Sequence, residues 1–419
     1  MLRRLRRDES ESRLLLTGAE ASSRDVASLV QPPVVVAIGK AAAVMAQAMS
    51  EILGGQSQIR SGLIVSPAIP EERLDRFRYI RGGHPYPTEG SLEGARAALG
   101  LVSGLDHDDL VIFLISGGGS ALFEQPLDSA VTLDDLEAFN KLLVTCGLPI
   151  EQINVLRKHV SAVKGGRLAA RAHPAAQVTL FISDVPEGLD SMVASGPTFP
   201  DSSTVDECYS LAESAGLIAQ LPASIRRRFE QRDIEETPKP GDARFSRSHY
   251  CRLLSNCDAV EAARLAAEDA GFVAEAYRGE WDVDFREAAP AQSEALDALA
   301  SKHAGHPVCL VAGGEVISPV TGSGTGGRNQ AFALCAAGLI AGRNRAVLSA
   351  GTDGRDGNSP ASGAVADGTT IERAKRLGLD AERALASSDA YPFFKALDDI
   401  LETGYTGNNV RDVRVWLAP

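Results

Sequence analysis

The feature that most constrains the fold of this chain is a regular alternation of short β-branched runs with longer helical patterns. The runs at 34–38, 110–115 and 178–182 predict buried strands, and the pattern at 41–53 predicts a helix. Each run ends in a loop rich in Gly, Ser or Asp. This alternation is typical of a parallel sheet covered by helices on both faces. Ligands of such sheets bind beyond the carboxyl ends of the strands, so we expect the functional residues in those loops.

Composition excludes several classes of protein. The 419 residues include 42 basic and 55 acidic side chains, and the net charge of −13 argues against nucleic acid or an anionic membrane as a partner. No apolar run reaches the roughly 18 residues that a membrane helix needs. The six cysteines form no C-x-x-C pair, so we expect reduced thiols and a cytoplasmic protein. The sequence is compatible with a homo-oligomer.

A proline-rich segment, Thr237-Pro-Lys-Pro-Gly241, marks the expected domain boundary because it cannot continue a helix. After it the alternation resumes, with helices and strands expected at 258–271, 307–312, 330–341 and 346–350. We therefore expect two α/β domains, 1–237 and 245–419, with a cleft between them.

Two loops in the first half of the chain are suited to bind anions. Lys40 stands in the first turn of a helix directly after a strand, where a cation opposes the helix dipole unless an anion such as phosphate shares the position. The second loop also follows a strand, and its three successive glycines let backbone N–H groups approach a ligand closely. Its residues are Ser116, Gly117, Gly118, Gly119 and Ser120. We expect phosphate or nucleotide contacts at both loops.

The glycine-rich segment 322–330 allows two interpretations. Its glycines satisfy the G-x-G-x-x-G pattern of dinucleotide-binding loops. However, Pro319 interrupts the strand that this pattern requires before it, and Arg328 occupies the helix start. An arginine there is better suited to hold phosphoryl oxygens with two parallel hydrogen bonds. The segment therefore favours phosphate binding, with a nicotinamide-dependent enzyme as the alternative.

Acidic residues follow several of the expected strands. Asp184, Glu315 and Asp353 each stand in such a loop. Isolated acids in loops are usually turn residues. Together with Lys40 and Arg328, however, they make up the set that phosphoryl transfer needs: cations for the phosphates, carboxylates for Mg²⁺ and one carboxylate that orients a hydroxyl.

A basic segment predicts one helix over 152–171, with Arg157 and Lys164 on the same face. The pair Gly165-Gly166 would cost such a helix about 1 kcal/mol per glycine. We therefore expect another element or a ligand to approach the backbone closely at this pair.

Short blocks of sequence run in one order along the chain. They are Ile38-Gly-Lys-Ala-Ala42, Gly82-Gly-His-Pro-Tyr-Pro87, Ile115-Ser-Gly-Gly-Gly-Ser-Ala-Leu122, Arg157-Lys-His-Val-Ser-Ala-Val-Lys-Gly-Gly-Arg-Leu168, Ile182-Ser-Asp-Val185, Ala194-Ser-Gly-Pro-Thr198, Ala312-Gly-Gly-Glu315, Gly326-Gly-Arg-Asn-Gln330 and Thr352-Asp-Gly354. Together these blocks resemble the glycerate 2-kinase family, in the class with a C-terminal MOFRL domain.

The resemblance implies a fold and an activity. The fold would comprise two α/β/α domains, an N-terminal Rossmann-like domain with a mostly parallel sheet and a C-terminal α/β domain with a mixed sheet, and the active site would lie in the cleft between them. The activity would be ATP-dependent phosphorylation of D-glycerate at its 2-hydroxyl, with Mg²⁺. Lys40 and Arg328 match the catalytic cations of the family.

The other expected site residues divide by role. Asp184 is the third catalytic candidate, and Glu315 and Asp353 are the candidates for metal binding. The candidates for binding nucleotide or substrate are Ser116, Gly117, Gly118, Gly119, Ser120, Arg157, Lys164, Gly326, Gly327 and Asn329.

Two segments depart from the family's usual pattern, namely Glu187-Gly-Leu-Asp-Ser191 and Val316-Ile-Ser318. Both lie in expected active-site loops. One alternative function is an NAD(P)H-dependent hydroxypyruvate reductase, which the glycine pattern at 322–327 supports. A second is a non-catalytic protein that binds a sugar acid or a nucleotide, which the altered loops would suit.

Overall fold

The computed structural model describes residues 5–8, 13–17, 23–29, 31–279 and 282–419. The chain divides into two compact units, Met1–Leu253 and Leu254–Pro419. Each unit has a six-stranded sheet and a hydrophobic core of its own.

The N-terminal unit contains two sheets. Its strands are β1 (Leu5–Asp8), β2 (Arg13–Thr17), β3 (Ser23–Ser28), β4 (Val34–Ile38), β5 (Ser61–Ser66), β6 (Phe77–Arg81), β7 (Leu110–Ile115), β8 (Ala176–Ile182) and β9 (Ser248–Leu254). Strands β1 to β3 form an antiparallel sheet in the order β1-β2-β3. The other six form a sheet in the order β6-β5-β4-β7-β8-β9, in which β4 is parallel to both β5 and β7. The expected mostly parallel sheet is confirmed.

The pairing register of this sheet brings the functional loops to one edge. All residues of β4 and β7 are buried, as expected for central strands of a sheet covered on both faces. Ile38, the last residue of β4, lies opposite Ile115, the last residue of β7, and Ile115 lies opposite Phe181 near the end of β8. The loops that carry Lys40 and Asp184 therefore leave the sheet on the same side as the glycine loop after β7.

The N-terminal unit also contains helices, some of which pack on this sheet and others in a separate hydrophobic cluster. They are α1 (Ala42–Leu53), α2 (Glu89–Val102), α3 (Gly119–Leu122), α4 (Leu133–Thr145), α5 (Ile150–Val160), α6 (Arg167–Ala172), α7 (Val205–Ser214) and α8 (Ala223–Gln231). Side chains start several of them: the Thr132 hydroxyl accepts from the Asp135 N–H (3.2 Å), and the Thr204 hydroxyl accepts from the Glu207 N–H (3.1 Å).

The prediction of a single helix over 152–171 is wrong, because α5 ends at Val160 and α6 begins at Arg167. Gly165 and Gly166 adopt left-handed φ values of 56° and 82° between the two helices. A Cβ on Gly166 would lie 2.8 Å from the carbonyl oxygen of Phe199. The close approach expected at the glycine pair is therefore confirmed, and the approaching element is the backbone at residue 199.

Strand β9 belongs to the N-terminal unit, although it follows the proline-rich segment. It completes the six-stranded sheet of the N-terminal unit beside β8, and just before it the Arg247 carbonyl accepts the N–H of Gln177 (3.0 Å). The expected limits, 1–237 and 245–419, differ from the two units at 245–253 for this reason.

The C-terminal unit contains helices and strands in mixed order. They are α9 (Asn256–Asp269), β10 (Val273–Ala276), α10 (Phe285–Lys302), β11 (Val308–Ala312), α11 (Arg328–Ile340), β12 (Ala346–Gly351), β13 (Gly363–Asp367), α12 (Thr370–Arg376), α13 (Ala381–Ala386), α14 (Ala390–Leu397), β14 (Ile400–Leu401) and β15 (Asp412–Ala418). The sheet order is β10-β11-β15-β12-β13-β14.

This sheet is mixed, as expected. Strands β10 and β11 are parallel, whereas β15 lies between β11 and β12 and is antiparallel to both. Buried and half-buried residues alternate along β15. Its Trp416 packs edge-on against Phe332 of α11, with ring centroids 5.8 Å apart, and donates its indole N–H to Gln292 of α10 (3.1 Å). Strand β15 therefore joins the two helices to the centre of the sheet.

Candidate functional site

Lys40 lies in the turn between β4 and α1. Its N–H donates to the Gly117 carbonyl (2.9 Å), and the N–H of Ala41 donates to the Ser116 hydroxyl (3.0 Å). Gly39 allows the two loops to meet, because its φ is 118° and a Cβ there would lie 2.3 Å from Ser116 Oγ. Backbone groups and one buried hydroxyl thus fix the turn that carries the lysine.

His84 joins this cluster from the loop after β6. A Cβ on Gly118 would lie 3.1 Å from Lys40 Cγ and 3.4 Å from His84 Nε2. The lysine, the histidine and the glycine loop therefore meet at one point. His84 belongs to the Gly-Gly-His-Pro block, but the argument from strand-end loops did not select it.

Ser120 is linked to two further polar residues that the sequence analysis did not select. Its hydroxyl lies 2.8 Å from that of Ser195, and Ser195 in turn donates to Asn154 Oδ1 (2.9 Å). Ser195 is fully buried and has a φ of 60°, a conformation that is uncommon for residues other than glycine. Because Ser195 donates to Asn154, the Ser120 hydroxyl donates to Ser195 and is held in one orientation.

Lys164 and Arg157 occupy different surroundings. Lys164 is fully buried and forms an ion pair with Glu124, which also accepts from the Ser161 hydroxyl (2.6 Å). Burial lowers the pKa of Lys164, and the neighbouring Glu124 opposes this effect. Arg157 is half-buried, and its Nε has no hydrogen-bond partner among the described residues. Lys164 thus neutralises a carboxylate inside the unit, whereas Arg157 stays a candidate for ligand binding.

Asp184 lies two residues beyond the end of β8 and is half-buried. The segment after it, which departs from the family pattern, is tied to β9 by Arg252. The guanidinium of Arg252 lies 3.5 Å from the Glu187 carboxylate and 3.4 Å from that of Asp190. Such partly exposed pairs contribute little stability, about 0 to 1 kcal/mol.

Arg328 is the first residue of α11 and is held by two carboxylates. Its Nε and Nη2 donate to Asp412 (2.6 and 3.0 Å), and Nη2 also donates to Glu315 (2.9 Å). Burial lowers the pKa of Arg328, but Asp412 and Glu315 outweigh that effect and raise it above the ordinary value. The guanidinium is therefore charged at any physiological pH and held in one plane.

Asp412, the main partner of Arg328, was not selected from the sequence. Its side chain is fully buried at the start of β15. The buried guanidinium of Arg414 also lies near it, and burial lowers the pKa of Arg414 to about 10 despite the attraction of Asp412. Asp412 stands at the beginning of a strand and not after one, so the search of strand-end loops could not find it.

Asp356 caps the first turn of α11. Its carboxylate accepts the N–H groups of Asn329 (3.0 Å) and Gln330 (2.9 Å), and Asn329 Oδ1 accepts from the Ser349 hydroxyl (2.6 Å). Burial raises the pKa of Asp356 to about 7, although the two N–H donors lower it. The Asn329 side chain is thus hydrogen-bonded within the protein, and these bonds orient the helix start that carries Arg328.

The glycine-rich segment before α11 is folded against other loops of the same unit. The Gly324 N–H donates to the Ser387 carbonyl (3.1 Å), that of Thr325 to Asp389 (2.8 Å) and that of Gly326 to Asn358 (2.8 Å). These N–H groups are therefore used inside the protein. The segment also follows β11 by several residues of irregular backbone instead of directly, so it lacks the strand–turn–helix geometry of a dinucleotide loop.

The metal candidates lie around the same arginine. Glu315 contacts Arg328 directly, and a Cβ on Gly351 would lie 3.3 Å from Asp353 Oδ1 and 3.5 Å from Asp412 Oδ1. Within the described residues, no group of three or more His, Cys, Asp or Glu side chains has the arrangement of a metal site.

The chain thus has a parallel α/β unit with Lys40 in a loop and a mixed α/β unit with Arg328 at a helix start, an architecture typical of α/β enzymes. Family models support this description: one described as a domain of unknown function (DUF4147) matches residues 6–230, and the MOFRL family model matches residues 308–412. The chain belongs to the glycerate kinase family built from these two parts.

The sequences of relatives match this chain over nearly its whole length. A protein named D-glycerate 2-kinase from Thermotoga maritima is 38% identical over 92% of this chain and 90% of its own length. A solved structure of glycerate kinase from the same organism has a TM-score of 0.82 and 37% identity, and the match covers 93% of this chain and 92% of that one. An Agrobacterium vitis relative with a provisional hydroxypyruvate reductase name is 37% identical over 92% of this chain and 98% of its own length.

Two further expectations concern partners and redox state. In the part of the chain that the structure describes, no helix is both long enough and apolar enough to span a membrane. The structure places none of the six cysteines in a disulfide bond.

Proposed function

We propose that this protein transfers the γ-phosphoryl group of ATP to the 2-hydroxyl of D-glycerate, giving 2-phosphoglycerate and ADP. The observation that carries the proposal is Arg328, held at the start of α11 by Asp412 and Glu315. Its Nε and Nη2 already donate to these carboxylates, so the guanidinium would bind a phosphoryl oxygen through Nη1. The name of the Thermotoga maritima relative supports the choice of substrate and hydroxyl. We place the activity in the cytoplasm.

In this proposal the two cations act on the group that is transferred. Lys40 and Arg328 neutralise the negative charge that develops on the phosphoryl oxygens, where such contacts have their largest effect. Asp184 accepts the proton of the attacking 2-hydroxyl. The loop from Ser116 to Ser120, together with Arg157, binds anionic groups of the substrates.

Mg²⁺ is part of the proposal. Magnesium usually takes only one or two protein carboxylates and completes its shell with phosphates and water. Glu315 and Asp353, which both lie beside the Arg328–Asp412 pair, fit such a site without a third protein ligand. When bound there, the ion would offset the repulsion between these carboxylates and the phosphates of ATP.

The reductase alternative is not favoured. The glycine-rich segment that suggested it directs the N–H groups of Gly324, Thr325 and Gly326 to other protein groups. The pyrophosphate of a dinucleotide would need such groups to point outward.

The test is ADP release from the purified protein with Mg-ATP and D-glycerate, run beside NADH oxidation with hydroxypyruvate. We expect ADP release that depends on D-glycerate, with no NADH consumption, and a ³¹P NMR spectrum of the product that matches 2-phosphoglycerate. L-Glycerate serves as the control acceptor. NADH consumption without ADP release would establish the reductase. Glycerate binding without either turnover would establish the non-catalytic alternative.

A further inference from the structure

A cavity of about 380 Å³ lies within the C-terminal unit beside Arg328. Its walls are largely apolar and include Phe285, Val316, Pro319 and Leu385. Binding sites for small molecules commonly have volumes of about 300 to 1,000 Å³ and apolar walls with a few polar groups. Cavity size and lining thus suit a ligand that is much larger and less polar than a three-carbon acid.

Two arginines also line this cavity. The lining includes Arg328 and the backbone of Gly326 and Gly327. It also includes Arg286, whose guanidinium lies over the Phe285 ring, 4.3 Å from the ring centroid. A ligand that matches this lining has a flat apolar-faced part and an anionic part. An adenine nucleotide has both.

The loop between β11 and α11 presents apolar side chains that a bound base would cover. Val320, which lines the cavity, is 83% exposed, and the neighbouring Ile317 is 56% exposed. Val316 and Ser318 of the same loop line the cavity as well, and they belong to one of the two segments that depart from the family pattern. Covering such side chains with a base would add apolar contact that the protein alone does not make.

We propose that this cavity binds the adenosine part of ATP, with the phosphates directed to Arg328. The proposal rests on the proposed function for the choice of nucleotide. It leaves Lys40 on the transferred phosphoryl group and assigns the loop from Ser116 to Ser120, with His84, to the carboxylate and hydroxyls of glycerate. It also gives the half-exposed guanidinium of Arg328 a direct role at the junction of cavity and phosphate chain.

The first test is photolabelling of the wild-type protein with 8-azido-ATP in the absence of glycerate, followed by peptide mapping. We expect ATP-protectable label in peptides that contain residues 316–331 or 384–390. Protectable label confined to peptides of the N-terminal unit, or no protectable label at all, would overturn the proposal. The experiment needs no turnover, so it judges the cavity even if the protein does not phosphorylate glycerate.

The second test fills the cavity from its half-buried loop. Ser318→Trp should raise the dissociation constant of a fluorescent N-methylanthraniloyl ATP by at least about tenfold, which is about 1.4 kcal/mol. Ser301→Trp, at an exposed position of α10 outside the cavity lining, is the matched control and should change it by less than about twofold. The KM for glycerate should change little in either variant. Unchanged nucleotide affinity in a folded Ser318→Trp protein, or a rise confined to the glycerate KM, would show that the cavity is not the nucleoside site.

The two tests also separate this inference from the proposed function. Protectable label at the cavity without glycerate-dependent ADP release would support the nucleotide site and contradict the proposed kinase activity. Glycerate phosphorylation with label elsewhere would support the kinase activity and contradict the nucleotide site at this cavity.

Discussion

The two cations at the centre of the proposal are held in opposite ways. Lys40 stands in a turn that is fixed by backbone carbonyls, one buried serine hydroxyl and a close glycine contact. Arg328 is fixed by two carboxylates, one of which, Asp412, is fully buried. The N-terminal cluster therefore positions a charge through its backbone, whereas the C-terminal cluster positions a charge by balancing it with others.

This difference separates function from stability. Removal of the lysine side chain leaves the hydrogen bonds of its turn in place, because they involve main-chain groups and Ser116. Removal of the arginine side chain leaves a buried carboxylate without its main partner, which is costly in a low-dielectric interior. The two cations should thus respond differently to the same substitution.

The largest expected effect belongs to Arg328→Ala. It should lower kcat by about 10² to 10³, and it should also destabilise the C-terminal unit by about 2 kcal/mol. The stability loss is smaller than the 3 to 5 kcal/mol of a fully buried pair because the Arg328 side chain is 36% exposed. Trp416 is buried in the C-terminal unit, and the other tryptophan, at 281, also lies within residues 254–419 of the sequence, so tryptophan fluorescence during denaturation reports this part of the chain.

A second substitution and a control complete this experiment. Adding Asp412→Asn removes the buried charge that Arg328→Ala leaves without its main partner, so it should restore part of the lost stability and none of the activity. Arg343→Ala breaks a half-exposed pair with Asp297 and should cost less than about 1 kcal/mol. If Arg328→Ala left stability unchanged, the carboxylates would not depend on this arginine.

Lys40→Ala should have a similar effect on kcat, about 10² to 10³, with a smaller change in the free energy of unfolding than Arg328→Ala. The reason is that the turn keeps its hydrogen bonds to Gly117 and Ser116. Steady-state ADP release and chemical denaturation measure the two quantities. Lys141→Ala, on the exposed face of α4, is the matched control and should leave kcat unchanged. A kcat within twofold of wild type would remove Lys40 from the mechanism.

A further effect, on stability alone, concerns Asp356, and it depends on pH. Burial raises the folded-state pKa of this carboxyl from 3.8 to about 7, so the folded protein binds a proton between these values that the unfolded chain has lost. The contribution of Asp356 to stability is therefore complete below about pH 4 and declines as pH rises to about 7, by up to about 1.4 kcal/mol per pH unit.

Asp356→Asn cannot titrate, so the stability difference between wild type and this variant should slope over that window and be flat above it. Asp297→Asn is the control, because Arg343 and Arg345 lower the pKa of Asp297 despite its partial burial. A flat difference for Asp356→Asn from pH 4 to 7 would mean that the capped helix start holds an ionised carboxylate throughout.

The strands of the parallel sheet were predictable because burial on both faces leaves a continuous apolar run. The runs at 34–38 and 110–115 coincide with β4 and β7. Strand β15 was not predictable in this way, because it alternates buried residues with half-buried ones and contains Arg414, whose charge is buried beside Asp412. Its partners are distant in sequence, and no local pattern records them.

The same distinction applies to the candidate site. Arg328 stands out in the sequence because it follows a glycine-rich loop, and Lys40 stands out because it opposes a helix dipole. Ser195 and Asn154 do not stand out, because their role depends on hydrogen bonds that link Ser120 to Ser195 and Ser195 to Asn154 across the fold. The helix expected over 152–171 failed for a related reason: the glycine pair signalled a close approach but not that the chain would turn there.

The position of β15 also bears on the order in which the C-terminal unit can be assembled. This strand follows every other strand of its sheet in the chain, yet it lies between β11 and β12 and pairs with both. During synthesis, β10 and β11 cannot join β12 and β13 until residues 412–418 have left the ribosome. Because Asp412 begins this strand, the guanidinium of Arg328 gains its main partner only when β15 pairs. A chain that stops short of it would leave the ribosome with a divided sheet and apolar edges open to aggregation.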